Sequence, residues 1–476
     1  MDFRESRETA NGPSRRTILT SAAATVLAAA LPTRGTASVD AVVDLRAGPS
    51  VARLKGAAGP QTGVWAFGGT VPGPVLRARQ GSEFAVRFGN DLPEASAVHW
   101  HGIRLANAMD GVPGLTQNAV APGGTFDYRF TPPDAGTFWY HPHERSFEQV
   151  PRGLAGALII EEPEPPKADQ DLVLLISDWR LGGDGQLVEG FGSRHDQAHA
   201  GRLGNHITVN GAPLATFPVL ANERVRLRII NACSARVLKL RLEASQPKLI
   251  AVDGQPVGPT TSYGEVLILG PGNRVDLMVD MIGPAGHTIP LAEVSGERQV
   301  LAELTFQGAQ QRRAAPLVAP VALTPNPLPE PDRKTALVVP LLMTGGAKNE
   351  TDLSVIMAKG PVWQFNGQAG MVMNPDGAAA GMGEPLFRAK PGHTVHVRYV
   401  NQTAWPHAMH LHGHHFRLLQ RQNGPAPQPF WWDTLLVQPG ETALVGFVAD
   451  NPGKWMLHCH MLDHQASGMD AWFEVE

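Results

Sequence analysis

The chain has 476 residues, too many for one ordinary hydrophobic core, and implies roughly two to four domains. With 43% hydrophobic and 18% charged residues it is globular and not disordered, and its 51 glycines and 41 prolines, scattered and not repetitive, suit many turns between short strands. A net charge of −4, with no Lys/Arg cluster beyond the N-terminus, argues against nucleic acid as the main partner.

The N-terminus reads as an export signal. "SRRTILT" (14–20) precedes the apolar run "SAAATVLAAALP" (21–32), and "GTA", ending at Ala37, offers a cleavage point. That run is too short to span a membrane stably, and no later stretch reaches roughly 18 apolar residues. Arg15 and Arg16 resemble a twin-arginine signal, so residues 1–37 are expected to direct the chain to the periplasm; an ordinary secretory signal is the alternative.

Beyond it, period-two and short apolar runs dominate: "EFAVRF" (83–88), "GALII" (156–160), "RVRLRII" (224–230), "RVDLMVD" (274–280) and "HTVHVRYV" (393–400). Turn residues separate them, which is the pattern of an all-β sandwich or barrel. Proline-rich stretches at 161–170 and 315–334 read as linkers and cut the chain into three pieces, each sized for one Greek-key β domain. Residues 75–102 and 386–413 echo each other: an arginine strand, a glycine turn, a second strand, an Asn and a terminal His-x-His-Gly. A weaker echo at 219–233 lacks the histidines, so the three pieces read as repeats of one fold.

Eight of the 18 histidines form four His-x-His pairs: His99/His101, His141/His143, His410/His412 and His458/His460. Chance would give roughly one such pair. On a strand, residues i and i+2 face one side, roughly 6–7 Å apart. Each pair is thus too wide to crowd one ion and well placed for two adjacent ones. Two pairs lie in the first piece and two in the third, which points to a cluster shared between them. Imidazole suits copper, zinc, iron and nickel. There are two cysteines. Cys233, in an apolar run, reads as a small core residue, although a disulfide to Cys459 is conceivable in an oxidising compartment. Cys459 lies between His458 and His460 and faces the other side of its strand. It is free to join a separate site with His464, Met469 and one further histidine, for which His407 is the best candidate; two His, one Cys and a weak axial Met make a blue-copper site.

These residues resemble the multicopper oxidases of laccase-like and bacterial cuprous-oxidase type, over nearly the whole chain after the signal. The motifs that carry the resemblance are "HWHG" (99–102), "WYHPH" (139–143), "HAMHLHGHHF" (407–416) and "HCHMLDHQASGM" (458–469), with "VPRGLAGALIIEE" (150–162) resembling the end of the family's first domain. The resemblance implies three tandem cupredoxin-like Greek-key domains, at 38–163, 164–325 (without copper ligands) and 326–476. It implies four copper ions. His407, Cys459 and His464 would hold the type 1 copper with Met469 axial, and His99 and His410 the type 2 copper. His101, His141 and His460 would hold one type 3 copper, and His143, His412 and His458 the other. It further implies that a reductant delivers single electrons at an exposed edge of His464, that Cys459 passes them to His458 and His460, and that O2 leaves as two waters. Asp110, in "NAMDGVPG", matches a family acid near the type 2 copper and is the expected proton carrier, with a turn aspartate as the plainer reading. The chain departs from several bacterial relatives at Gln465, where they carry Glu; an amide cannot relay a proton.

Surplus histidines have plainer readings. His414 and His415 are expected outside the ligand set, either supporting it or solvated. His195, His199 and His206 are expected in a polar loop, with an extra metal site as the alternative, and His393 and His396 in a strand without a role. Met371, Met373 and Met382 are expected to fill a loop, with a Cu(I) contact as the alternative. The expected partners are O2 and a small-molecule or metal-ion reductant, with no nucleic acid, no stable membrane span and a monomeric chain. Phenols or aromatic amines are the expected donors, and periplasmic Cu(I) is the alternative. A scaffold without copper is disfavoured by the complete ligand set, and a copper nitrite reductase by the type 3 histidines.

Overall fold

Turn-punctuated alternation builds strands throughout. In the computed structural model the described residues are 42–476, without 244, 263, 319–321, 350–351 and 371–382. Residues 1–37, read above as an export signal, and Met371, Met373 and Met382 lie outside them. The strands form six sheets in three successive pairs. The first pair holds two four-stranded sheets between Val43 and Glu161; one runs Leu76–Arg79, Gly156–Glu161, Gly136–His141, His99–His101. The middle pair, six and five strands, lies between Gln170 and Gln311, and the last pair, again six and five, between Leu337 and Val475. The neighbours are mostly antiparallel, with parallel closures such as Val43–Ala52 on Phe84–Asn90 and Leu337–Gly345 on Thr394–Asn401. This is the all-β fold the alternation predicts. No helix among the described residues is long and apolar enough to cross a membrane.

Burial follows the alternation where one face is wet, as in Phe84–Asn90. It departs from it in Arg224–Asn231, which is buried on both faces. Arg226 and Arg228 would read as the solvent side of "RVRLRII", yet both are buried. Arg226 Nη2 lies 2.6 Å from Asp276 Oδ2 and 2.7 Å from Glu162 Oε1, while Arg228 Nη1 donates to Thr137 Oγ1 at 2.9 Å. The middle sheet therefore meets the first pair through paired charges, and each arginine buried there is matched by carboxylates. One apolar cluster runs continuously through the first and last pairs, including Trp100, Tyr140, Trp363 and Trp455, whereas the middle pair has its own core around Leu227, Leu240 and Leu277. The histidine strands of the first and last pairs are thus held by one continuous core.

Candidate metal centres

Strand register assembles the histidines. His99 sits opposite His141 and His101 opposite Trp139, while in the last sheet His410 sits opposite His458 and Met409 opposite Cys459. The strand Gly453–Cys459 ends at the cysteine, and a short helix, Leu462–Gln465, follows. Alternation at the strand's end sends Cys459 to one side. Its Sγ lies 3.6 Å from His407 Nδ1 and 3.8 Å from His464 Nδ1. The helix turn is what brings His464 back to it.

The protons in this set are fixed by its neighbours. His464 Nε2–H donates to the His199 carbonyl at 2.6 Å. Thr403 Oγ1 donates to Asn401 Oδ1, so it accepts from His407 Nε2–H at 2.8 Å. Both Nδ1 atoms are left with lone pairs, 3.1 Å apart and facing the sulfur. Burial holds His407 well below the usual imidazole range and His464 down at about 4, and it pushes the Cys459 thiol up to about 12. Two imidazole lone pairs facing one thiol make a set that a metal ion can fill, and a metal takes the cysteine as thiolate. Met469 is fully buried beside them: its N–H donates to His464 O, and its carbonyl accepts from Cys459 N–H.

The other eight histidines form one buried cluster. His99 Nδ1 donates to the Asp110 carbonyl (2.8 Å), His141 Nδ1 to Pro142 O (3.0 Å), His410 Nδ1 to Asp433 O (2.9 Å) and His458 Nδ1 to Cys459 O (2.9 Å). His412 Nδ1 donates to Asp110 Oδ2 at 2.8 Å, and His101 Nε2 to Asp433 Oδ1 at 3.3 Å. Each partner can only accept, so the second nitrogen of each ring carries a lone pair. Those nitrogens point at one another. His412 Nε2 and His458 Nε2 are 3.1 Å apart, and His141 Nε2 and His460 Nε2 are 3.4 Å apart. His99 Nε2, His101 Nδ1, His143 Nδ1, His410 Nε2 and His460 Nδ1 are buried without a hydrogen-bond partner. Burial lowers the pKa of His101, His141, His143, His412, His458 and His460 far below the usual value, so these rings are neutral ligands. With six rings turning lone pairs inward, the cluster is a site built for cations. All-imidazole donors together with one thiolate fit copper.

Carboxylates orient the cluster. Asp110, buried, touches His412 and His99, and its Oδ1 has no hydrogen-bond partner. Asp433 touches His101 and, through its carbonyl, His410. Its carboxylate is gripped by Arg274 Nη1 and Nη2 at 2.8 and 2.7 Å. Burial opposes that charge, but Arg274 and then His101 hold Asp433 well below the usual carboxylate range. Asp253 behind it is pushed up to about 7 by burial and by the Asp433 charge. Gly102 closes the first His-x-His-Gly at φ +86°, where a Cβ would meet Arg274 Nη2 at 2.3 Å. The motif's glycine therefore answers both a left-handed turn and the close approach of this arginine.

All the histidines expected as ligands, with Cys459, Met469 and Asp110, come together at these two places. Some details differ from the sequence expectation, and others settle its alternatives. His464 has no exposed edge; it is fully buried under the His199 carbonyl and Trp363. The segment after His460 is helical, and Asp463 on it accepts from Arg202 N–H at 2.9 Å. Both cysteines are free and buried, without a disulfide. His414 and His415 are buried too: His414 Nδ1 meets His412 O, and His415 Nε2 meets Asp253 O. His206 is tied to Leu54 O, and His396 to Asp332 O. Gln465 accepts from Ser146 Oγ at 3.1 Å. Asp433, Arg274 and Thr403 are missing from the sequence reading, and its polar loop is corrected: His195 lies on the short helix Arg194–Ala198, His199 is buried just after it, and His206 opens the strand His206–Val209. The Asp of "WWDTLLVQPG", between aromatics and a strand, was the one available signal.

Comparison with known proteins bears on the same residues. Three family models, each described as multicopper oxidase, match residues 51–165, 170–295 and 348–476. The multicopper oxidase MmcO of Mycobacterium tuberculosis is 31% identical over 86% of this chain and 83% of its own length. Among solved structures, a multi-copper oxidase from Pseudomonas thermotolerans aligns with TM-score 0.81 and 35% identity, covering 92% of this chain and 99% of that one. Lac15 from a marine microbial metagenome aligns with TM-score 0.73 and 39% identity, covering 91% and 100%. With its ten converging histidines and the Cys459 thiol beside them, the chain belongs to the multicopper oxidase family.

Proposed function

We propose that this oxidase holds four coppers and takes its electrons from phenols, aromatic amines or similar one-electron donors. His407, Cys459 and His464, with Met469, would hold the type 1 copper. His99 and His410 hold the type 2 copper, and His101/His141/His460 with His143/His412/His458 the type 3 pair. Copper in these places supplies one-electron oxidation at the first set and four-electron reduction of O2 to water at the second. The chain's own part is positional. Cys459 belongs to the first set while its sequence neighbours His458 and His460 belong to the second, so a covalent path joins them. That path is the observation that carries the reading.

Asp110 fixes the tautomers of His412 and His99 and is the acid assigned to hand protons to the cluster. Gln465 holds Ser146 but carries no proton, so Asp110 bears that task without help at position 465. The three cupredoxin-like units run 38–163, 164–325 and 326–476. The chain works as a monomer in the periplasm, exported by the twin-arginine signal at 1–37. Steady-state O2 uptake by copper-loaded protein, with a phenol, an aromatic amine, Cu(I) and Fe(II) in parallel, tests the donor. Turnover faster with Cu(I) than with the organic donors would favour the cuprous-oxidase alternative.

A further inference from the structure

The middle sheet pair contributes no ligand, yet its segment 194–202 is bolted over His464. Three successive carbonyls accept from the last pair's side: Gln197 O from Trp363 Nε1 (2.6 Å), Ala198 O from Ala347 N (2.8 Å) and His199 O from His464 Nε2 (2.6 Å). Arg202 N donates to Asp463 Oδ2 at 2.9 Å and locks the far end. A donor therefore cannot touch His464 itself. A direct link outward from its ring is the hydrogen bond to the His199 carbonyl.

That residue's ring leads to the surface. The His199 imidazole is buried, with Nδ1 on the His195 carbonyl at 2.9 Å and Nε2 without a hydrogen-bond partner. It stacks on His195, with ring centroids 4.3 Å apart and planes 13° from parallel, and meets the half-buried Trp405 edge-on at 5.5 Å. The His195 side chain is 60% exposed. The short helix Ser354–Met357 lies alongside, held by Arg194 Nη2 on Ala358 O at 3.1 Å. It leaves apolar side chains in water: Leu353 is 62% and Met357 81% exposed. A planar ring laid on His195 would continue the stack inward and cover this apolar edge.

We infer that the electron-donor site is this surface, with His195 as the stacking platform for an aromatic donor and the His199 carbonyl–His464 hydrogen bond as the way in. The inference rests on the proposed donor class. A phenol bound there gives up one electron to the enzyme and one proton to water, leaving a phenoxyl radical. Four such events match one O2, since four ArOH and O2 yield four ArO• and two H2O. His195 sets donor affinity and specificity, while His199 fixes the buried ring.

The test follows anaerobic bleaching of the blue absorption band of copper-loaded protein by guaiacol. His195→Ala should raise the half-saturating guaiacol concentration about three- to tenfold, the range a lost ring stack gives, with band intensity unchanged. His195→Phe should restore it. In Met357→Cys, labelled with a polyethylene glycol maleimide, bleaching should slow more than about tenfold with the colour intact, because Cys233 and Cys459 are buried from the reagent. Wild-type protein bleached by guaiacol, but indifferent to both changes, overturns the donor surface while leaving the phenol-oxidase reading intact. Wild-type protein bleached by Cu(I) and not by guaiacol overturns the donor class and this surface with it.

Discussion

Arg274→Met removes a cation that the middle sheet pair places behind the histidine cluster. Arg274 is fully buried and donates to Thr137 O (3.2 Å), Gly272 O (3.1 Å) and both Asp433 oxygens (2.8 and 2.7 Å). Without it, Asp433 keeps Thr434 Oγ1 at 2.8 Å and His101 Nε2 at 3.3 Å but pairs with no other arginine or lysine among the described residues. Breaking a buried pair from one side costs about 3–5 kcal/mol. At an m-value of about 3 kcal/mol per molar or more for a chain this long, the urea midpoint of copper-free protein should fall by about 1 M. The orientation of His101 and His410 is lost as well, and copper affinity should drop about 10- to 100-fold. Asp433→Asn on the same background removes the stranded charge, so the double variant should be more stable than the sum of the two single changes predicts. An Arg274→Met protein that unfolds at the wild-type urea concentration and keeps its full copper would refute this account of the middle pair.

Asp110→Asn keeps a polar group beside His412 and His99 but carries no proton; O2 uptake should fall roughly 10²- to 10⁴-fold while copper content and colour persist. Thr403→Val takes away the acceptor that fixes His407, and blue colour should then need about 10- to 100-fold more free copper in an equilibrium titration. Copper loading should release protons in a way that isolates Cys459. Its thiol, pushed up to about 12, is protonated at neutral pH, whereas His464, down at about 4, and His407 are already deprotonated. In weakly buffered titrations, wild-type protein should therefore release one more proton per chain than Cys459→Ser, at every value between about pH 6 and 8. A difference that grew as the pH fell would mean that the imidazoles are protonated before copper arrives.

Much of this was legible in the sequence because it is local. His-x-His spacing fixes two rings on one strand face, the intervening Cys459 falls on the other, and the glycines after His101 and His412 mark left-handed turns at φ +86° and +67°. Alternation also reveals the all-β class. What was not legible is long-range. Arg226 and Arg228 look solvent-facing until Asp276 on the neighbouring strand and Glu162 from the end of the first unit meet them. Helical hydrogen bonding, not alternation, aims His464 and Asp463 after the strand ends. Nothing within "GSRHDQAHAGR" announces that its carbonyls cover a histidine more than 260 positions away, since backbone acceptors carry no side-chain signature. The middle unit looks inert by its lack of ligands, yet it supplies Arg274 behind the cluster and the cover over His464.

The central claim is that Cys459 joins two copper sites, and copper analysis of Cys459→Ser, with spectrum and O2 uptake on the same sample, tests it most directly. The account predicts loss of one copper in four, no blue band and no oxidase activity with any donor, while the eight-histidine cluster stays loaded. Oxidase activity that survived the substitution, or loss of all copper together, would contradict it.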